Sequence, residues 1–350
     1  MVILLRVAVS PFVLMQIKIL KRIKKLQALV LIVQHLPKEI TVKRGVGEGD
    51  DYWIIKTDNN GKIQWQNYFG GEDDDELTGV FQTNDGGYMI YGESDSEKNN
   101  VIGSHGKGDY WAIKTDASGK MEWQRCYGGS NYEEPDYAVQ TTDNYYYFAG
   151  ESQSSNGQIK NHIGMKDVWI FKSDVMGNML WEKSLGSIYN DELKAFAQTV
   201  DGGVVVAGES SFAKNGRLQN SDTVYNWVTK LNSSGIEEWN KRLDTNKNNF
   251  IISAVPLKNG SVLIAGYNRT QLALRKNGKF ETAEYKYWVI EFDRNGIERS
   301  RSDLGVYIDS IAHSFLLTSD NSYLLVGTID NKSNAGLYQG HSLWMLKLSR

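Results

Sequence analysis

The sequence predicts an all-β protein: a β-propeller of four-stranded blades, five to six in number, incomplete at its N-terminal end. Three observations predict it. All ten tryptophans of the 350-residue chain fall on two positions of one repeating unit. Trp53, Trp111, Trp169, Trp227, Trp288 and Trp344 occupy the first, at spacings of 58, 58, 58, 61 and 56. Trp65, Trp123, Trp181 and Trp239 occupy the second, each twelve residues after a member of the first. A period of this size, with the same residues in phase, marks a repeat architecture. Turn signals recur between short apolar runs in each unit, and no segment after residue 50 has the period of a long helix.

Residues 1–50 stand apart from the repeat. They hold no Trp, Tyr or Asn, and carry nine Lys or Arg against three Asp or Glu, whereas residues 51–350 carry 30 against 39. So sharp a break marks a different physical object. A secretion signal would put its positive charges first, but MVILLRVAVSPFVLM precedes KILKRIKK. A membrane span is interrupted by Arg6 and Pro11, and LQALVLIVQHL is too short to cross. The favoured expectation is that this stretch is a helical tail or the product of a start called out of frame, supplying none of the strands.

The unit opens with DYWIIKTDNNGKIQWQNYFGG from Asp51, repeated as DYWAIKTDASGKMEWQRCYGG from Asp109 and DVWIFKSDVMGNMLWEKSLGS from Asp167. Each is a β-rich run, an Asp-x-x-Gly turn and a second run. Next come TGVFQTNDGGYMIYGES from Thr78, YAVQTTDNYYYFAGES from Tyr137 and KAFAQTVDGGVVVAGES from Lys194. Here two runs flank Asp85-Gly86-Gly87 or Asp201-Gly202-Gly203, a strong hairpin signal because glycine accepts the positive φ of the tight turn. The unbroken apolar run Val204–Ala207 suggests a strand buried on both faces. Four antiparallel strands per unit, repeated radially, make a propeller blade; a β-solenoid has much shorter rungs.

Inner-strand copies are expected near Thr78, Asp136, Leu193, Phe250 and Asp309, which makes five. The first unit is headless, and the chain ends within a unit. Pairing of the Trp344 strand with the Trp65 strand would leave no open edge. The later units decay: Ser300 stands where a second-position tryptophan is due, and the Gly-Glu-Ser of 92–94, 150–152 and 208–210 is lost at Gly266 and Gly327.

The single cysteine, Cys126, excludes an internal disulfide framework and reads as a buried thiol. No basic patch lies within the repeats, so nucleic acid is not an expected partner. Asp58, Asp116, Asp174 and Asp293 precede the turn glycine, where an aspartate bonds its own backbone. Glu93, Glu151 and Glu209 also recur in phase, and a residue present in every blade reads as structural. No unequal pair of carboxylates can be nominated for glycoside hydrolysis. The acidic run Glu72–Glu76 reads as a solvated loop rather than a calcium loop. His35, His105, His162, His313 and His341 show no metal spacing, so neither a metal nor a cofactor is expected.

The Asp-x-x-Gly-x-x-x-Trp pattern at Asp58, Gly61 and Trp65 resembles the tryptophan-docking repeat of quinoprotein dehydrogenases, one residue shorter between Asp and Gly. That resemblance implies a tryptophan packed against the next blade. The lone cysteine argues against a quinone. The whole pattern, DYWxxKxDxxGxxxWxxxxGG followed by QTxDGGYxxxGES, resembles the secreted bacterial β-propeller repeat proteins associated with type IX secretion. The resemblance covers 51–350 and is strongest to residue 240. It implies an extracellular or cell-surface location.

The function expected is a non-enzymatic scaffold that binds glycan or protein through blade loops, as a monomer with no integral membrane domain. The alternative is a polysaccharide-active enzyme with its site at the central channel. Binding is expected in the long linkers 94–108, 152–166 and 210–224, since variable loops on a rigid frame are where binding sits. Their candidate contacts are Lys98, His105, Lys107, Lys160, His162, Lys214 and Arg217, a set that favours a glycan or an acidic partner.

Overall fold

The computed structural model describes residues 2–8, 28–34, 49–211, 224–243, 249–269, 284–308, 310–332 and 338–349. These form 23 strands in six sheets, with no helix among the described residues. No described helix is therefore long and apolar enough to cross a membrane. The chain divides into two compact parts, 1–185 and 186–350, each holding three consecutive sheets.

In the first part, β1 (Val2–Ala8), β2 (Ala28–Gln34), β3 (Tyr52–Thr57) and β4 (Ile63–Phe69) make the first sheet. The second holds β5 (Asp75–Gln82), β6 (Tyr88–Ser94), β7 (Asp109–Thr115) and β8 (Met121–Tyr127), and the third β9 (Glu133–Gln140), β10 (Tyr146–Ser152), β11 (Asp167–Ser173) and β12 (Met179–Leu185). In the second part, β13 (Asn190–Gln198), β14 (Val204–Ser211), β15 (Val224–Leu231) and β16 (Glu237–Arg242) make the fourth sheet. The fifth holds β17 (Asn249–Pro256), β18 (Val262–Arg269), β19 (Glu284–Phe292) and β20 (Glu298–Ile308). The last has three described strands, β21 (Ser310–Leu317), β22 (Tyr323–Lys332) and β23 (Tyr338–Leu348). Antiparallel four-stranded meanders repeated in this way are consistent with a propeller-like fold.

Residues 1–50 differ from expectation. Strands β1 and β2 take the two places beside β3, so this segment does supply strands and is not a helix where described. The β1–β2 pair is parallel, unlike every other pairing among the described residues, and β2 meets β3 over only Val30↔Lys56, Leu31↔Ile55 and Ile32↔Ile54. The physical reason is compositional. VILLRVA and ALVLIVQ are β-branched apolar runs, and such runs suit a sheet place as well as a helix. Within their own sheets, β23 has β22 as its ladder partner and β4 has β3.

The turns form as their residues dictate. Gly86 and Gly202 sit at φ 86° and 80° in the first hairpins of their sheets. Asp58, Asp116, Asp174 and Asp293 each accept the backbone N–H groups two and four residues on, at 2.8–3.0 Å. Asn232 does the same in the fourth sheet. The run Val204–Ala207 is buried throughout. From the second sheet on, each first–second strand pair also carries a bulge, as between Leu77 and Gly79 or between Leu193 and Ala195.

Tryptophan packing joins the sheets within each part. Trp65 donates its indole N–H to Ala117 O at 3.1 Å, Trp123 to Val175 O at 3.0 Å, and Trp239 to Arg294 O at 3.0 Å. Every acceptor lies in the Asp-x-x-Gly turn of the following sheet, and the turn glycine lies against the ring. A Cβ on Gly119 would come within 2.9 Å of Trp65, and one on Gly177 within 2.9 Å of Trp123. Trp111, Trp123, Trp169, Trp227, Trp239 and Trp288 are buried, whereas Trp53, Trp65, Trp181 and Trp344 are half-buried. Tyr52 and Tyr110 add a second tie, each donating its hydroxyl to the carbonyl of Glu93 or Glu151 in the next sheet.

The decayed units still fold. Ser300 pairs with Glu291 on exposed β20, and Trp288, Tyr287 and Phe292 fill the core beneath β19. Cys126 is buried, as expected.

Candidate functional site

The connectors that lead from one sheet to the next in the first part are pinned by buried acids at the start of the first strands. Asp75 accepts Gly71 N–H at 2.7 Å, and Glu133 accepts Gly129 N–H at 2.7 Å. Serines from the linker side close the clamp. Ser96 Oγ reaches Asp75 at 3.2 Å and accepts Asp73 N–H at 3.0 Å. Ser152 Oγ donates to Glu133 at 2.7 Å, and Ser154 Oγ accepts Asn131 N–H at 2.9 Å. This explains the recurrent Gly-Glu-Ser: its serine is the buried partner of the acid that opens the same sheet, Ser94 for Asp75, Ser152 for Glu133 and Ser210 for Asp191. Burial pushes Asp75 up to about 6 despite bonds from Ser94, Gly71 N–H and Ser96. The run Glu72–Glu76 is therefore not a wholly solvated loop, because Asp75 is buried and Glu76 lies on β5.

Between these connectors and the linker 95–108 lies a cavity of about 680 Å³. Glu72, Asp73, Asp74, Asp95 and Glu97 line it, with Lys107, Ser130 and Tyr132 on the other side. Its walls are fixed by backbone bonds. Asp95 N–H donates to Asp74 O at 2.9 Å, Asp50 N–H to Asp74 Oδ1 at 3.1 Å, and Gln153 N–H to Tyr132 O at 2.9 Å. Burial, with Asp74 and Asp73 nearby, raises the Asp95 carboxyl above its ordinary range. Tyr132 is 38% exposed, with the Lys107 ammonium 5.0 Å from its ring centroid.

The expected linker contacts are placed as follows. Lys107 lines the cavity. Lys98 is exposed, and its backbone N–H donates to Glu72 Oε2 at 3.1 Å. Lys160 is exposed away from the cavity lining. His105 and His162 each stand beside a buried acid. His162 Nδ1 lies 3.0 Å from Asp167 Oδ2, and His105 Nδ1 lies 3.5 Å from Asp109 Oδ1. Both acids are buried, and each also accepts a linker backbone N–H at 2.6 Å, from Ile163 and His105. The bond to Asp109 raises the His105 pKa. These histidines hold their loops. Lys214 and Arg217 lie outside the described residues.

The sequence reading missed the cavity's charge. Basic linker residues suggested an acidic partner, whereas five carboxylates face one ammonium here. Among the described residues, no group of three or more His, Cys, Asp or Glu side chains is disposed to hold a metal ion.

A second set of acids lies on the inner strands. Burial first, then Asp95, Glu134, Glu76 and Glu133, push Glu93 up to about 7. Lys166 Nζ stands 4.0 Å from both Glu134 and Glu151.

No family model matches the chain, and no curated protein matches it. Solved structures with a similar course of chain exist. A protein of unknown function from Bacteroides caccae is 10% identical, with a TM-score of 0.42 over 85% of this chain and 95% of that one. One from Dyadobacter fermentans is 11% identical, with a TM-score of 0.43 over 75% and 78%. A member of the DUF4221 family from Bacteroides vulgatus is 9% identical, with a TM-score of 0.38 over 84% and 86%.

Proposed function

We propose that the protein is a binding scaffold that takes a glycan in the cavity bounded by residues 72–74, 95–107 and 130–132. One observation carries the reading: a rigidly framed cavity that sets five carboxylates beside a solvent-facing tyrosine ring. Carboxylates accept hydrogen bonds from sugar hydroxyls, and charge-assisted bonds are the stronger kind. The apolar face of a sugar ring packs on an exposed aromatic. A neutral or cationic ligand suits this charge better than the acidic partner the linkers first suggested. The same reading puts the chain outside the cell or at its surface, as a monomer, with cell fractionation and sedimentation as the checks.

A glycan array with the purified chain tests it. Asp95→Asn and Tyr132→Ala are each expected to weaken a hit about tenfold or more, the worth of one charge-assisted bond or one ring contact. Unchanged binding by both variants would remove the site from this cavity.

A second reading has one observation in its favour. Glu93, raised to about 7, would be about half protonated at neutral pH, which supplies the protonated carboxyl that a general acid in glycoside cleavage needs. Hydrolysis of an array hit that Glu93→Gln abolishes, with binding intact, would establish the enzyme. Binding without turnover favours the scaffold.

A further inference from the structure

We propose a second binding site, specific for an acetamido group, in a cavity of about 530 Å³ at the hairpin ends of the second and third sheets. It uses none of the residues of the acidic cavity, so either proposal can fail without the other.

Several departures from the repeat meet in space here. The Asp-x-x-Gly turns carry Asn59-Asn60, Ala117-Ser118, Ser233-Ser234 and Arg294-Asn295 between aspartate or asparagine and glycine. The third sheet carries Val175-Met176 instead, exposed by 48% and 54%. Two apolar side chains at the tip of a turn contribute little to a core. In the hairpin of the same sheet, Asn144 holds φ 69° where Gly86, Gly202 and Gly260 hold 86°, 80° and 85°. A side chain at positive φ carries a steric cost, which asparagine tolerates better than most. Asn321 takes the same conformation in the last sheet. Asn144, Val175 and Met176 all line this one cavity, together with Asn84 of the second sheet.

The two asparagines are oriented by each other. Asn84 Nδ2 donates to Asn144 Oδ1 at 2.9 Å and to Thr141 O at 3.3 Å, and Asn84 N–H donates to Gln140 Oε1 at 2.7 Å. That leaves Asn84 Oδ1 as an acceptor and Asn144 Nδ2 as a donor with no bond among the described residues. One acceptor beside one donor is the complement of a secondary amide, which offers one N–H and one C=O. Val175 and Met176 supply an apolar rest for a methyl group. Their turn is fixed, because Trp123 donates to Val175 O at 3.0 Å. The ligand should be neutral, since the one cation of this lining, Lys114, is already met by Asp85 at 2.8 Å and Glu122 at 2.7 Å. An amide with a methyl beside it and no charge is an acetamido group. Acetylated amino sugars and acetyl-capped peptides both present one.

Isothermal titration of the full chain with N-acetylglucosamine, N-acetylglycinamide and glucose separates the sources. At least one acetamido compound should bind about tenfold tighter than glucose, the worth of about one hydrogen bond. The compound that binds names the source: the sugar, the peptide, or the acetamido group alone if both bind. Asn144→Gly restores the residue of the other hairpins and should keep the melting temperature while weakening binding about tenfold. Met176→Asn restores a residue of the other turns and should weaken binding as well. Glucose binding as tightly as the acetamido compounds, no saturable binding of either, or both variants binding like the parent would each overturn the proposal.

Discussion

Gly177→Ala measures directly whether tryptophan on glycine is what locks one sheet to the next. Gly177 sits at φ +77°, and an added Cβ would lie 2.9 Å from Trp123 Cζ3 and 3.0 Å from Trp123 Cη2. Gly202 is the control. It has φ +80°, but its nearest neighbour to an added Cβ is 3.8 Å away. Gly202→Ala should therefore cost only the left-handed strain, about 1–2 kcal/mol. Gly177→Ala should cost that strain plus the overpacking, about 2–4 kcal/mol in total. Trp123→Ala alone removes a buried indole and leaves Val175 O without its donor, for about 3–5 kcal/mol. In that background the ring contacts have gone and only Arg125 Cγ, the stem of a flexible side chain, remains at 3.0 Å, so Gly177→Ala should fall back towards the Gly202→Ala value. The cycle then returns a coupling of about 1–2 kcal/mol. Urea unfolding midpoints at fixed slope provide the measurement. The reasoning is refuted if Gly177→Ala costs no more than Gly202→Ala, or if its cost is the same with and without Trp123.

Three further outcomes are expected. Lys114→Met should destabilise by about 1–3 kcal/mol in the same assay, because a buried ammonium bonded to Thr115 O, Asp85 and Glu122 is lost. Cys126, whose thiol burial pushes well above its ordinary range, should resist iodoacetamide in the native protein and react once urea unfolds it, as mass spectrometry would show. Glu93 has a folded pKa of about 7 against an ordinary 4.5, so the stability it contributes is full below about 4.5 and is lost as pH rises through 7. Glu93→Gln should therefore melt higher than the parent at pH 8 and show a shallower fall between pH 6 and 8, and equal slopes would refute that assignment.

The repeat was legible because each of its features is local. Trp123, Asp116 and Gly119 lie within eight residues, and each turn needs only its own chemistry to form. The bulge near Gly79 was not legible, since it depends on how Leu77 and Gly79 meet Gly92 and Tyr91 across the ladder. The acidic cavity was hidden for a related reason. Its carboxylates come from 72–74 and 95–97 and its tyrosine from 132, and only the clamps at Asp75 and Glu133 bring those stretches together. The pairing of His105 and His162 was hidden because nothing in their neighbourhoods announces that Asp109 and Asp167, at the heads of strands, are buried. Strands β1 and β2 were not legible because composition reports what a segment resembles, and apolar runs rich in β-branched residues suit a sheet as well as a helix.

The indole that crosses to the next sheet asks for very little there: one main-chain oxygen and one residue without a side chain. It is indifferent to the identity of the two residues between aspartate and glycine. The turn is thus held as firmly with Ala117-Ser118 as with Val175-Met176 or Arg294-Asn295. Each lock therefore leaves a two-letter blank at its outer tip, anchored in position yet free of any structural vote. A lineage could rewrite those letters one sheet at a time, changing what the surface recognises while the frame beneath registers no difference.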